Sequence, residues 1–268
     1  MKFTATLLRH QYLCPYLRFV TYEARQPLPM FGRRRRFGTV IHEAIAEYER
    51  QGRSLDAALA VLDERAAELG DEKLAEARAI LEWRHTERSR EGGRPIMIEG
   101  PLSTSILGHR LDVRVDRVDV AGSDLVLVEV KSGKRADIDL VRAQLAVLAY
   151  AVYRLFGRAP QAWKLELLGA RRMIEIPSVT APQELASFTA NLARQVLEGR
   201  REPEPYDPSF CRRCPASSKG WAGAIRLRLT RRSTSAVTSW TCGRCRRLAR
   251  FASRPRQRQL TAGCCSTS

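Results

Sequence analysis

The sequence predicts an α/β fold in which a small mixed sheet is flanked by helices, and three observations carry that prediction. Apolar residues recur at helical spacing through residues 38–90. Segments rich in β-branched residues succeed one another between residues 94 and 132. Helix, strand and helix patterns then alternate from residue 139 to residue 199.

Taken in order, GTVIHEAIAEYERQ (38–51) has helical spacing, and SLDAALAVLDERAAELG (54–70) follows with Ser54 as N-cap and Gly70 as the stop. A third helix covers 71–90. RPIMIEG (94–100), GHRLDVRVDRVDV (108–120) and DLVLVEVKS (124–132) alternate as strands and are separated by Gly, Pro and Ser. Residues 139–157 return to helix and end at Gly157. Two strands, AWKLELLG and RRMIEIPSV, precede a final helix, PQELASFTANLARQVLEG.

The chain has 268 residues, 44% of them apolar, which is enough to bury a core. Its net charge of +17 points to nucleic acid only until one asks where the charge sits, because residues 217–268 hold twelve Lys or Arg and no acid. Without them the remainder carries about +5. Residues 1–216 are therefore read as one domain and 217–268 as a separate basic tail. Three readings of that tail stand open: a nucleic-acid-binding arm, a second metal-binding module, and the translation of a shifted reading frame. The first residues, MKFTATLLRHQYLCPYLRF, are interrupted by Arg9, His10 and Arg18 and do not form a secretory signal. No stretch is long and apolar enough to span a membrane, and seven cysteines without an export signal suit a reducing compartment. The expected location is the cytoplasm, with no membrane partner.

One hairpin carries the chemistry. In VDRVDVAGSDLVLVEVK, a loop of Ala121, Gly122, Ser123 and Asp124 makes Val120 and Leu125 the first cross-strand pair, and continued counting brings Asp116 opposite Glu129. Directly opposed residues have Cβ atoms about 4.5–5.5 Å apart, so two carboxylates would share one spot, with Lys131 on the same face. Such carboxylates repel unless a positive charge lies between them, and a divalent cation with hard oxygen preference meets that need. The bland alternative is a solvated polar face. His42 shares its helix with Ile41, Ala44 and Ile45, so it reads as a ligand only beside that hairpin. Gln144 interrupts the apolar line Leu140, Leu148, Ala151 and Leu155 and faces inward, where it needs hydrogen-bond partners.

The set resembles the PD-(D/E)XK nuclease superfamily, a restriction-endonuclease-like core, and within it the RecB-type exonuclease branch, over roughly residues 12–215. Asp116 fits the first aspartate, Glu129 and Lys131 the E-x-K, His42 the upstream helix histidine, and Gln144 and Tyr150 the following helix, at looser spacing. The resemblance implies a metal-dependent nuclease acting on DNA, with Mg²⁺ or Mn²⁺ held by Asp116, Glu129, the Val130 carbonyl and His42. It also implies a role in repair or recombination. In AddB-type and CRISPR-adaptation relatives, four cysteines hold a four-iron, four-sulfur cluster. Cys14, Cys211 and Cys214 match three of them, and the fourth is missing where ASSKGW stands. Cys242 and Cys245 form a further C-x-x-C that would suit Zn²⁺ or a cluster. No nucleotide-binding G-x-x-x-x-G-K-[ST] stretch occurs, so any helicase would be a separate subunit. A non-catalytic nucleic-acid-binding module and a CRISPR-adaptation nuclease are the alternative functions.

Overall fold

A computed structural model describes residues 1–25, 32–91 and 93–199, with the side chains of 32–35 left out. The boundary at residue 216, the tail and every cysteine except Cys14 lie outside the described residues. The elements run β1 (Lys2–Thr4), α1 (Ala5–Leu13), α2 (Pro15–Arg18), a π-helical turn (Phe19–Glu23), α3 (Gly32–Arg50), α4 (Leu55–Glu64), α5 (Ala66–Leu69) and α6 (Asp71–Arg90). They continue with β2 (Arg94–Ile106), β3 (His109–Ala121), β4 (Asp124–Lys131), α7 (Ile138–Phe156), β5 (Ala162–Leu167), β6 (Arg172–Ile176) and α8 (Pro182–Leu197).

Local chemistry fixes most boundaries. The Ser54 hydroxyl accepts from the Ala57 N–H at 3.2 Å, and the Asp137 carboxylate accepts from the Leu140 N–H at 3.1 Å, so both expected helices start on a side-chain cap. Gly157 closes α7 with φ +73°, a conformation that costs a residue without Cβ nothing. The expected helix over 54–70 is broken at Arg65 into α4 and α5. The β3–β4 hairpin has the counted register, Val120↔Leu125 through Arg117↔Val128. Its turn is tighter than expected: Ala121 and Asp124 also pair, leaving Gly122 (φ +63°) and Ser123 as a two-residue connection.

The sheet is mixed, as the sequence predicts. Its order is β1-β3-β4-β5-β6, with β2 antiparallel on the other edge of β3, while β1 on β3 and β4 on β5 run parallel. One edge of β3 is therefore shared. β1 pairs with residues 110–112 and β4 with 117–121, so residues 113–116 lie in the split between them.

Two cores flank the sheet. Leu125 and Leu127 pack with α1, α7 and α8, whereas Val126, Val128 and Val130 pack with α3, α4 and α6. On this second face lies a buried ion network. Glu49 of α3 accepts from Arg84 (2.9 Å) and Arg88 (2.8 Å) of α6 and from Arg117 (3.2 Å) of β3. Glu166 of β5 accepts from Arg84 at 2.7 Å, and Asp119 accepts from Arg117 at 3.1 Å. Burial would raise the Glu49 pKa, but Arg84, Arg117 and Arg88 outweigh it and hold it down at about 2. Because the folded value lies below the ordinary 4.5, this stabilisation is complete above that pH and is lost as pH falls toward 2. Acid unfolding followed by circular dichroism should show a step in that window that Glu49→Gln removes.

Candidate metal and carboxylate site

The split in the sheet places the expected residues. Hydrogen-bonded pairing of β3 with β4 stops at Arg117↔Val128, and the Asp116 carboxylate takes over the next rung, accepting from the Val130 N–H at 2.7 Å. Glu129 is 2% exposed and sits at the end of the same strand pair. One of its oxygens accepts from the Lys131 ammonium and also, at 2.7 Å, from the Gln144 amide of α7. Gln144 thus faces inward, as the helical spacing implies. His42 enters from α3 on the opposite side.

Glu99 of β2 was not expected here. Its carboxylate lies 3.1 Å from His42 Nδ1 and 2.7 Å from Arg114 Nε. The nitrogen of His42 and one oxygen each of Glu99 and Asp116 all lie within 4.8 Å of one another, the one such metal-compatible group among the described residues. The β2–β3 ladder runs from Ile98↔Arg117 to Gly100↔Val115 and steps over Glu99 and Asp116. Glu99 has φ +48°, a left-handed conformation that is uncommon for a residue with a side chain and concentrates at functional sites. The signal was available in the sequence. Counting back from the Ile106↔His109 turn brings Glu99 opposite Asp116 by the argument that brought Asp116 opposite Glu129.

The electrostatics are those of a group that wants a cation. Burial and the Glu129 charge push the Asp116 carboxyl up to about 7, against the pull of His42, the Val130 N–H and Lys131. Burial pulls the His42 imidazole down, but its bond to Glu99 and the charges of Asp116, Glu99 and Glu129 reverse this and leave it raised. For Glu99, burial works upward and is outweighed by His42 and Arg114, so its carboxyl is lowered. One imidazole and two carboxylates suit a divalent cation, which would relieve the repulsion around Asp116. Replacing Glu99 by Gln should weaken Mn²⁺ binding by about 10–100-fold, read by calorimetry independently of activity. Unchanged affinity would remove Glu99 from the ligand set.

The other expected residues are placed as follows. Val130 pairs with Glu166 of β5, and its side chain joins the α3–α6 core. Tyr150 is 4% exposed and donates its hydroxyl to the Ser105 carbonyl at 2.8 Å, a bond on β2 rather than to the carboxylates. Cys14 is buried between α1 and α2. Cys211 and Cys214 lie outside the described residues. No described helix is long and apolar enough to cross a membrane.

Comparison with known proteins adds three findings. No curated protein matches the sequence. Among solved structures, SSO0001 is similar at 15% identity and TM-score 0.44, covering 82% of this chain and 86% of that one. A candidate exonuclease from Eubacterium rectale is similar at 12% identity and TM-score 0.47, covering 80% of this chain and 88% of that one. The model of the PD-(D/E)XK nuclease superfamily matches residues 2–218, a span that contains β1 through α8 and every carboxylate at the split, and the chain belongs to that superfamily.

Proposed function

We propose that this chain is a metal-dependent deoxyribonuclease of the RecB-type branch, hydrolysing phosphodiester bonds from single strands or duplex ends in cytoplasmic DNA repair or recombination. The observation that carries this reading is the convergence of Asp116, Glu129, Lys131, His42 and Glu99 where β3 and β4 part. Asp116, Glu99 and His42 would hold the ion, with Glu129 and the Val130 carbonyl as the further ligands the superfamily implies. Bound Mg²⁺ or Mn²⁺ would supply charge compensation for the scissile phosphate and acidify a water.

The chain's own residues do the rest. Gln144 and Lys131 hold the buried Glu129 carboxylate in place through two donated hydrogen bonds. Lys131, partly exposed, presents its remaining ammonium N–H groups to the attacking water and to the non-bridging phosphate oxygens. The Val130 N–H fixes the Asp116 carboxylate. The water oxygen bonds to phosphorus as the P–O ester bond breaks, and the proton that the water gives up is balanced by the one that the leaving oxygen takes on. The cluster implied by the cysteine resemblance needs four thiolates, of which only Cys14 is described, and no step here uses it. A helicase motor would be a separate partner.

The test compares linear single strands, linear duplex and covalently closed circles, in Mg²⁺, Mn²⁺ and EDTA. Metal-dependent loss of nucleotides from linear DNA, with circles resistant, is expected. Circles cut as fast as linear DNA would make the enzyme an endonuclease, and binding without cleavage would make the chain a binding module.

A further inference from the structure

We infer that Arg9 is a positioning residue for the carboxylate site, acting through the side-chain amide of Gln144; the inference rests on the nuclease reading above. Topology brings it there. β1 lies on the same edge of β3 as β4, and Thr4 both ends β1 and caps α1, its hydroxyl accepting from the Leu7 N–H at 3.1 Å. Helix α1 therefore begins beside the split, and its second turn carries Arg9 toward α7.

There Arg9 Nη1 donates to Gln144 Oε1 at 3.0 Å, while Gln144 Nε2 donates to Glu129 Oε1 at 2.7 Å. The same Glu129 oxygen accepts from Lys131. A carboxamide has one accepting end and one donating end, and a guanidinium only donates. Arg9 can be met only by Oε1, which leaves the amide N–H₂ to face Glu129. The reversed amide would set two donors together at one end and a carbonyl against a carboxylate at the other. The guanidinium charge also polarises the amide and strengthens the bond it donates into a desolvated site.

Two features separate this from ordinary surface pairing. Among the described residues Arg9 forms no salt bridge, although acids are plentiful; its bond goes to an uncharged amide. That amide's other end meets a carboxylate that is only 2% exposed and stands beside Lys131. Among the described residues Arg9 has no hydrogen bond or ion pair to Asp116, Glu99, Glu129 or His42, so its influence on hydrolysis passes through Gln144.

The experiment is a double-mutant cycle on the full chain with Arg9→Met, Gln144→Met, both together, and Arg9→Lys, each checked for an unchanged melting temperature. Single-turnover hydrolysis should fall about tenfold in Arg9→Met with KM nearly unchanged, and the double variant should be no slower than Gln144→Met alone. Arg9→Lys, which keeps a charged donor, should recover most of the rate. Additive losses, or a rise in KM with kcat intact, would overturn the inference, the latter making Arg9 a DNA contact instead. A second readout needs no activity. The Gln144 side-chain amide resonances, assigned by their absence from Gln144→Met, should move in Arg9→Met and stay close to wild type in Arg9→Lys. If the wild type cuts no DNA, the nuclease reading fails and the amide still reports on the coupling. Unmoved amide resonances in Arg9→Met overturn the inference in either case.

Discussion

Lys131→Met is expected to slow phosphodiester hydrolysis by about 10²–10⁴-fold, the range for losing a positioned proton-handling or charge-stabilising side chain. The substitution keeps the apolar stem that lies along the end of β4 and removes the ammonium that Glu129 accepts from. Glu129 is 2% exposed and, among the described residues, would retain only the Gln144 amide as a side-chain hydrogen-bond donor. Loss should therefore fall on kcat, with DNA affinity little changed, because Lys134 and Arg135, exposed in the loop after β4, remain. Single-turnover kinetics beside a filter-binding titration checks it. A matching fall in affinity would mean that Lys131 serves binding rather than chemistry.

Glu49→Gln has the largest expected effect on stability, about 3–5 kcal/mol, the cost of breaking a buried charge pair by removing one partner. Its carboxylate accepts from three buried guanidiniums, of Arg84, Arg88 and Arg117. Glutamine keeps the shape but leaves those cations with Glu166, Asp119 and Glu91 alone. The same network ties α3, which carries His42, to β3, where Arg117 follows Asp116 directly. Metal affinity should fall together with stability. Urea unfolding with and without Mn²⁺ measures both, and a change below about 1 kcal/mol would show that the network relaxes around the lost charge.

Much of this was legible in the sequence because hairpin counting is rigid. A period of two and a short turn leave one register, and that register is observed from Val120↔Leu125 to Arg117↔Val128, one step short of Asp116 and Glu129. The same logic missed Glu99 because PLSTSIL, with its proline and serines, read as a connection. Pro101 is tolerated because β2 is an edge strand among the described residues, paired there only with β3. The three residues of β1 are too short to show alternation and become a strand only by finding the free edge of β3. Helices α1 and α2 were hidden by buried polar groups, Gln11 and Arg18 among them, which erase the apolar pattern. Arg84, Arg88 and Glu49 are charged residues in helical sequence with no local sign of burial. Their burial depends on partners from β3 and β5 that no local pattern announces. Tyr150 matched a motif by type at looser spacing, and its hydroxyl donates to the Ser105 carbonyl and accepts from Arg154.

The most direct test of the central claim is single-turnover release of labelled nucleotide from linear DNA by wild type and Glu129→Gln, each in Mn²⁺ and in EDTA, with folding matched by circular dichroism. Release by the wild type in Mn²⁺ but not in EDTA is expected, with none above background by Glu129→Gln. Release by Glu129→Gln at the wild-type rate, or folded wild type that binds DNA and releases nothing in either Mn²⁺ or Mg²⁺, would contradict it.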